Sequence, residues 1–102
     1  MIARTWRTGV DPERAAEYEA FARTISLPMF EHQAGFRGVL MLRDGGDCQV
    51  ITLWEDMAAI EALGISPSYV ETVDRILAAG FLRGPQSVEL SSAHLCALPV
   101  SR

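Results

Sequence analysis

The sequence predicts an α+β fold of the ferredoxin-like, split βαβ kind, in which a four-stranded antiparallel sheet carries its helices on one face. Three observations predict it. Alternating segments read as strands near both ends and in the middle of the chain, helical periodicity fills the intervals between them, and a glycine-rich tetrapeptide joins the two central strands directly. At 102 residues, 49% apolar and 22% charged, the chain has the size and make-up of one globular domain. That domain is expected over residues 1–92, with 93–102 as a C-terminal tail.

The elements follow in order. Ile2 to Thr8 is the first strand, with Ile2, Arg4, Trp6 and Thr8 on one face and Ala3, Thr5 and Arg7 on the other. Asp11-Pro12-Glu13 starts a helix, because an Asp side chain accepts the free N–H groups of a first turn and Pro tolerates the first helical position. Ala15, Tyr18, Ala22 and Ile25 form its apolar stripe, and Leu27-Pro28 is expected to interrupt it, leaving a short turn from Met29 to Gln33. Phe36 to Arg43 and Cys48 to Trp54 are strands paired through Asp44-Gly45-Gly46-Asp47, whose glycines supply the positive φ of a tight hairpin. Asp56 caps a second helix from Met57 to Leu63. Ser66-Pro67 starts a third, which runs through Tyr69, Val70, Val73, Ile76 and Leu77 to Gly80. Gly84-Pro85 ends that region, and Gln86 to Ser92 is the last strand.

Helices on one face leave the other bare, yet Val39-Leu40-Met41-Leu42 and Val50-Ile51-Thr52-Leu53-Trp54 read as strands buried on both faces. The economical cover is a second copy of the same sheet, so a homodimer packed face to face is expected.

Composition removes several classes of function. Nine basic against thirteen acidic residues give a net charge of −4 with no basic run, so no nucleic-acid partner is expected. No apolar run approaches the roughly 20 residues of a membrane span. Arg4 and Arg7 break up the N-terminal apolar stretch, so the expectation is a soluble, cytoplasmic protein without a membrane partner. All nine basic residues are Arg, and with no Lys in the chain Schiff-base chemistry is excluded. Phosphate-loop, GxSxG, dinucleotide-glycine and HExxH motifs are missing. Cys48 and Cys96 are expected as two buried thiols, and no metal site is expected because neither they nor His32 and His94 have partners at ligand spacing.

Some residues are candidates for a site, each beside a plainer reading. Trp54 and Tyr69 can face a cavity between sheet and helices and hold an aromatic ligand, or can be core aromatics with satisfied polar tips. Arg4 shares a face with Trp6, so its charge must reach solvent, pair with an acid such as Asp74, or meet an anionic ligand. His32 stands where the first helical region ends, a position where it can simply interact with the helix dipole.

Met1 to Arg7, Gly35-Phe36-Arg37-Gly38, Leu53-Trp54-Glu55-Asp56 with Ala59-Ile60, and Tyr69 with Asp74 resemble, in order and spacing, the antibiotic biosynthesis monooxygenases of the dimeric α/β barrel superfamily. The resemblance runs to about Val88 and implies a ferredoxin-like protomer, a homodimer and a pocket between sheet and helices. Characterised members are similar in oxidising polycyclic phenols or anthrones with dioxygen, without metal, flavin or haem. On that resemblance Trp54 and Tyr69 orient the substrate, Arg4 stabilises its anion, Asp74 or His32 is the base, and Trp6, Phe36 and Val73 line the site. Trp54 matches the family's most recurrent pocket position; the others are placed by strand face and nearness to the cavity. The haem-degrading branch resembles an Asn, Trp and His set, and with no Asn in this chain and no His in its last helix haem is disfavoured.

The expected function is that of a cofactor-independent monooxygenase using dioxygen as co-substrate on a small aromatic or polyketide-like molecule. The alternatives are a non-catalytic dimeric small-molecule-binding protein on the same scaffold and an enzyme of other chemistry, such as an isomerase.

Overall fold

The computed structural model describes residues 1–98. In chain order its elements are β1 (Ile2–Val10), a 3₁₀ turn (Pro12–Arg14), α1 (Ala15–Phe21), a π-helical turn (Ala22–Ser26), α2 (Leu27–Glu31), β2 (Phe36–Asp44), β3 (Asp47–Trp54), α3 (Met57–Gly64), α4 (Pro67–Ala78) and β4 (Leu82–Ser92). The strands lie in the order β2-β3-β1-β4, all neighbours antiparallel, which is the expected ferredoxin-like sheet. Residues 99–102 of the expected tail fall outside the described residues; the tail's first residue, Ala93, donates its N–H to the Met1 carbonyl at 2.9 Å.

Local chemistry accounts for most boundaries. The Asp11 carboxylate accepts from the Glu13 N–H at 3.0 Å and the Asp56 carboxylate from the Ala59 N–H at 2.9 Å, so both predicted acidic caps are made. Gly45 takes φ +61° at the first central position of the β2–β3 hairpin. At Gly35, φ is +81° and a Cβ would lie 2.5 Å from the Ala59 Cβ, so glycine alone lets the chain pass this close to α3 on its way into β2.

The helix is not interrupted at Pro28. A proline ring cannot accept an α-helical carbonyl behind it and has no N–H to donate, and the chain answers by widening into a π turn, with the Leu27 N–H bonded to the Ala22 carbonyl. Helix then continues through Glu31. The extra residue rotates the phase, so that Ser26 is buried in place of the expected Ile25, and Met29 and Phe30 join the core.

The last strand also differs, beginning at Leu82 rather than Gln86. Register shifts between Arg7↔Ser87 and Gly9↔Arg83, so Gly84-Pro85 lies within β4 at a bulge, where a residue without an N–H is tolerated. Gln86 there donates to the Thr8 hydroxyl at 3.0 Å.

Burial alternates along β3, Cys48, Val50, Thr52 and Trp54 being buried toward the helices. The expectation of burial on both faces does not hold within the single chain: on the outer face Leu40 is 56% and Leu42 40% exposed. Cys48 is buried as expected, while Cys96 is exposed, in a segment whose residues from His94 to Leu98 are all exposed. Beneath the helices the core forms two clusters, one around Val10, Tyr18, Cys48, Ile76 and Phe81, the other around Met29, Phe30, Val50, Trp54 and Leu63, with Trp6 packed against both. No helix among the described residues is long and apolar enough to cross a membrane.

Candidate active site

Between those two clusters lies a cavity of about 160 Å³. Its floor is the helix-facing side of the sheet, with Arg4 and Trp6 on β1, Val50 on β3, Met41 on β2 and Val88 on β4. Its roof comes from two helical stripes. Tyr69, Thr72, Val73 and Ile76 stand at successive inward positions of α4, and Tyr18, Ala22 and Ser26 at those of α1 and the π turn. The walls are mainly apolar, with a few polar groups that converge, as in ligand-binding cavities generally.

The principal polar group is Arg4, only 8% exposed. Its Nη2 donates to the Tyr69 hydroxyl at 2.7 Å, and the guanidinium carbon lies 5.5 Å from the centre of that ring. Among the described residues the ion pairs involve Arg7, Arg14, Arg37, Arg43 and Arg83, and no carboxylate reaches Arg4. A buried cation without an anion is costly, and here the compensating group is a neutral hydroxyl. Because the Tyr69 oxygen accepts from Arg4, its own proton is directed elsewhere, and no protein acceptor takes it among the described residues. Remaining guanidinium N–H groups and one phenolic O–H are thus available to an oxygen anion in the cavity.

Arg4 is held from beneath. The Thr52 hydroxyl, fully buried, donates to the Arg4 carbonyl at 3.4 Å and accepts from the Trp54 indole N–H at 2.8 Å. Trp54 is itself 0% exposed and lies outside the cavity lining, between Phe30 and Phe36, with ring centroids 6.3 and 5.6 Å away. Its polar tip is satisfied, which is the core reading of this residue. Phe36 belongs to the same aromatic group and likewise lies outside the lining.

Of the residues singled out from the sequence, the structure brings Arg4, Tyr69, Trp6 and Val73 to one cavity. Asp74 is exposed on α4, turned away from Arg4 because it follows the inward Val73 by about 100° of helical rotation. His32 is exposed beyond α2, where its Nδ1 donates to the Pro28 carbonyl at 2.7 Å and so caps the helix end. Neither expected base lies at the cavity. Sequence reasoning did not place Ser26 there, since the π turn that brings it inward shows only as Pro28; Thr72 stood in the periodicity of α4, three residues from Tyr69.

Tyr18 also lines the cavity. Burial pushes its phenol well above its ordinary value, and the Cys48 thiol beside it is raised by burial as well, so both stay protonated and neutral. The net result is a mostly apolar chamber with a single cation at the sheet side.

No protein-family model matches the chain, and no curated protein matches it in sequence. Solved structures share its fold. A protein of unknown function from Nitrosomonas europaea superposes with a TM-score of 0.78 at 21% identity, over 98% of this chain and 95% of that one. SnoaB, a cofactor-independent oxygenase from Streptomyces nogalater, gives 0.75 at 21% identity over 97% of each chain. A protein described as an antibiotic biosynthesis monooxygenase gives 0.74 at 19% identity, over 91% of this chain and 98% of that one. The chain therefore has the fold of the antibiotic biosynthesis monooxygenases, as the sequence resemblance implies.

Proposed function

We propose that the protein is a monooxygenase that oxidises a small aromatic molecule with dioxygen and no cofactor of its own, in the cavity beside Arg4. The observation that carries this reading is the buried, carboxylate-free Arg4 guanidinium bonded to Tyr69 at the edge of an apolar chamber. Support also comes from the fold, shared with a cofactor-independent oxygenase.

The chemistry asks little of such a site. An electron-rich ring, once ionised to a phenolate or enolate, reduces dioxygen itself. One oxygen atom enters the ring and the other leaves as water; the substrate supplies the electrons and loses two hydrogens, and the proton it gave up on ionisation is returned from solvent to the departing oxygen. The protein must favour the anion and exclude water. A neighbouring cation lowers the pKa of an acidic oxygen by about 1–3 units, so Arg4 promotes ionisation without a base in the cavity, the proton leaving to solvent.

The test is dioxygen uptake by the purified protein, with chelator present, against anthrones, naphthols and hydroquinones. Uptake above the spontaneous rate is expected for at least one class. Uptake no faster than the blank for every class would overturn the reading in favour of a ligand-binding protein. That second reading rests on a specific observation: among the described residues no carboxylate or imidazole lines the cavity. An isomerase, which must both take and return a proton, is less well served by the same lining.

The active form is proposed to be a homodimer in the cytoplasm. Leu40 and Leu42 on β2, with Ile51 and Leu53 on β3, make the outer face apolar on one half, while Arg7 and Glu89 pair at 2.6 Å on the other. A second sheet laid on this face would bury the leucines. Leu40→Glu is expected to shift the mass measured by light scattering from dimer to monomer at micromolar concentration. A wild-type protein that is already monomeric there would remove the dimer.

A further inference from the structure

We propose that the cavity is built for an aromatic of one ring bearing one ionised oxygen, with the charge seated on Arg4 and Tyr69 and the length of the ligand limited by a wall of Met41, Tyr18 and Ala22. This rests on the reading of the cavity as the substrate site and narrows its substrate class. Size is the first argument. A cavity of about 150 Å³ in another protein accommodates benzene, and this one measures about 160 Å³. A fused second or third ring would have to displace the side chains of that wall, packed at interior density, or project through the open side into solvent, where it gains no burial.

Charge is the second argument. Arg4 offers one uncompensated positive charge, and the Tyr69 proton adds one donor beside it, which matches a single carboxylate or phenolate oxygen group and not a dianion. The chamber opens between α4 and the edge strand β4, where Leu77 is 51% and Val88 49% exposed. On the opposite side, Met41, Tyr18 and Ala22 border both the cavity and a surface groove of about 360 Å³ beside β2, and so form the partition between the two. Met41 is the unbranched, adaptable member of that wall. Shortening it joins the cavity to the groove.

Isothermal titration calorimetry under nitrogen tests this with benzoate, benzamide, 2-naphthoate and 2-anthroate. Benzoate is expected to bind about tenfold or more tightly than its neutral isostere benzamide, and 2-naphthoate and 2-anthroate no more tightly than benzoate. Arg4→Gln is expected to erase the preference for benzoate over benzamide, and Tyr69→Phe, which keeps the ring and the cation, to reduce it. Met41→Ala is expected to tighten 2-naphthoate by about fivefold or more while changing benzoate less. Tighter binding of the two- or three-ring acid by the wild type would overturn the size limit. Equal affinity for benzoate and benzamide, a preference unchanged in both charge-seat variants, or no heat with benzoate would overturn the charge seat. Because these arms need no dioxygen, this binding pattern without oxygen uptake sinks only the oxygenase, and uptake without the pattern sinks only the one-ring anion.

Discussion

Arg4→Met is expected to lower turnover by about two to three orders of magnitude while raising the stability of the ligand-free protein by about 1–3 kcal/mol. The two effects have opposite signs for one physical reason. In the empty protein Arg4 is a desolvated cation whose partner is a neutral phenol, so replacing it with an unbranched apolar chain of similar reach removes a burden from the fold. The released Tyr69 hydroxyl is only half-buried and can turn to water. With substrate bound, the same cation is the group that favours the phenolate or enolate, and its loss falls on the chemical step. Urea denaturation beside steady-state dioxygen uptake measures both. A variant that is less stable yet equally active would make Arg4 an anchor of β1 rather than part of the site.

Trp54→Ala is expected to cost about 3–5 kcal/mol, a large part of the roughly 5–15 kcal/mol that holds a domain together. Trp54 fills the space between Phe30, Phe36 and Leu63, and its truncation leaves a void under α3 as well as a Thr52 hydroxyl without its donor. For a domain near this size the melting temperature should fall by about 15 °C or more. Trp54→Phe keeps most of the volume and loses the indole hydrogen bond, so about 1–2 kcal/mol and little change in turnover at saturating substrate are expected. Calorimetry with the oxygen assay separates the cases: a Phe variant that melts normally but has lost its turnover would place Trp54 against the substrate after all.

Much of the architecture was legible because it rests on local rules. The alternation of β1, the glycine hairpin between β2 and β3, the acidic caps Asp11 and Asp56 and the stripe of α4 each occupy a few neighbouring residues, and the backbone obeys them there. Reading failed where one local rule met a competing demand. Pro28 ordinarily ends a helix, but burying Met29 and Phe30 against the sheet favours continuing it through a π turn. Gly84-Pro85 ordinarily ends a strand, but β1 supplies a partner long enough to carry β4 past a bulge.

The candidate site divides along the same line. That Arg4 and Trp6 share a face, and that Tyr69 and Val73 share one, followed from strand and helix period alone. Which way a residue at the end of an element turns does not follow from period. Trp54 closes β3 and His32 follows α2, and their surroundings come from chain segments distant in sequence. By itself, then, the sequence determined the order of elements, the sheet and the placing of a cation, Arg4, on the same strand face as Trp6. Only the tertiary structure decided that Trp54 is core, that Asp74 and His32 stand away from the cavity, and that Ser26 and Met41 border it, because side-chain burial is set by what packs from across the fold.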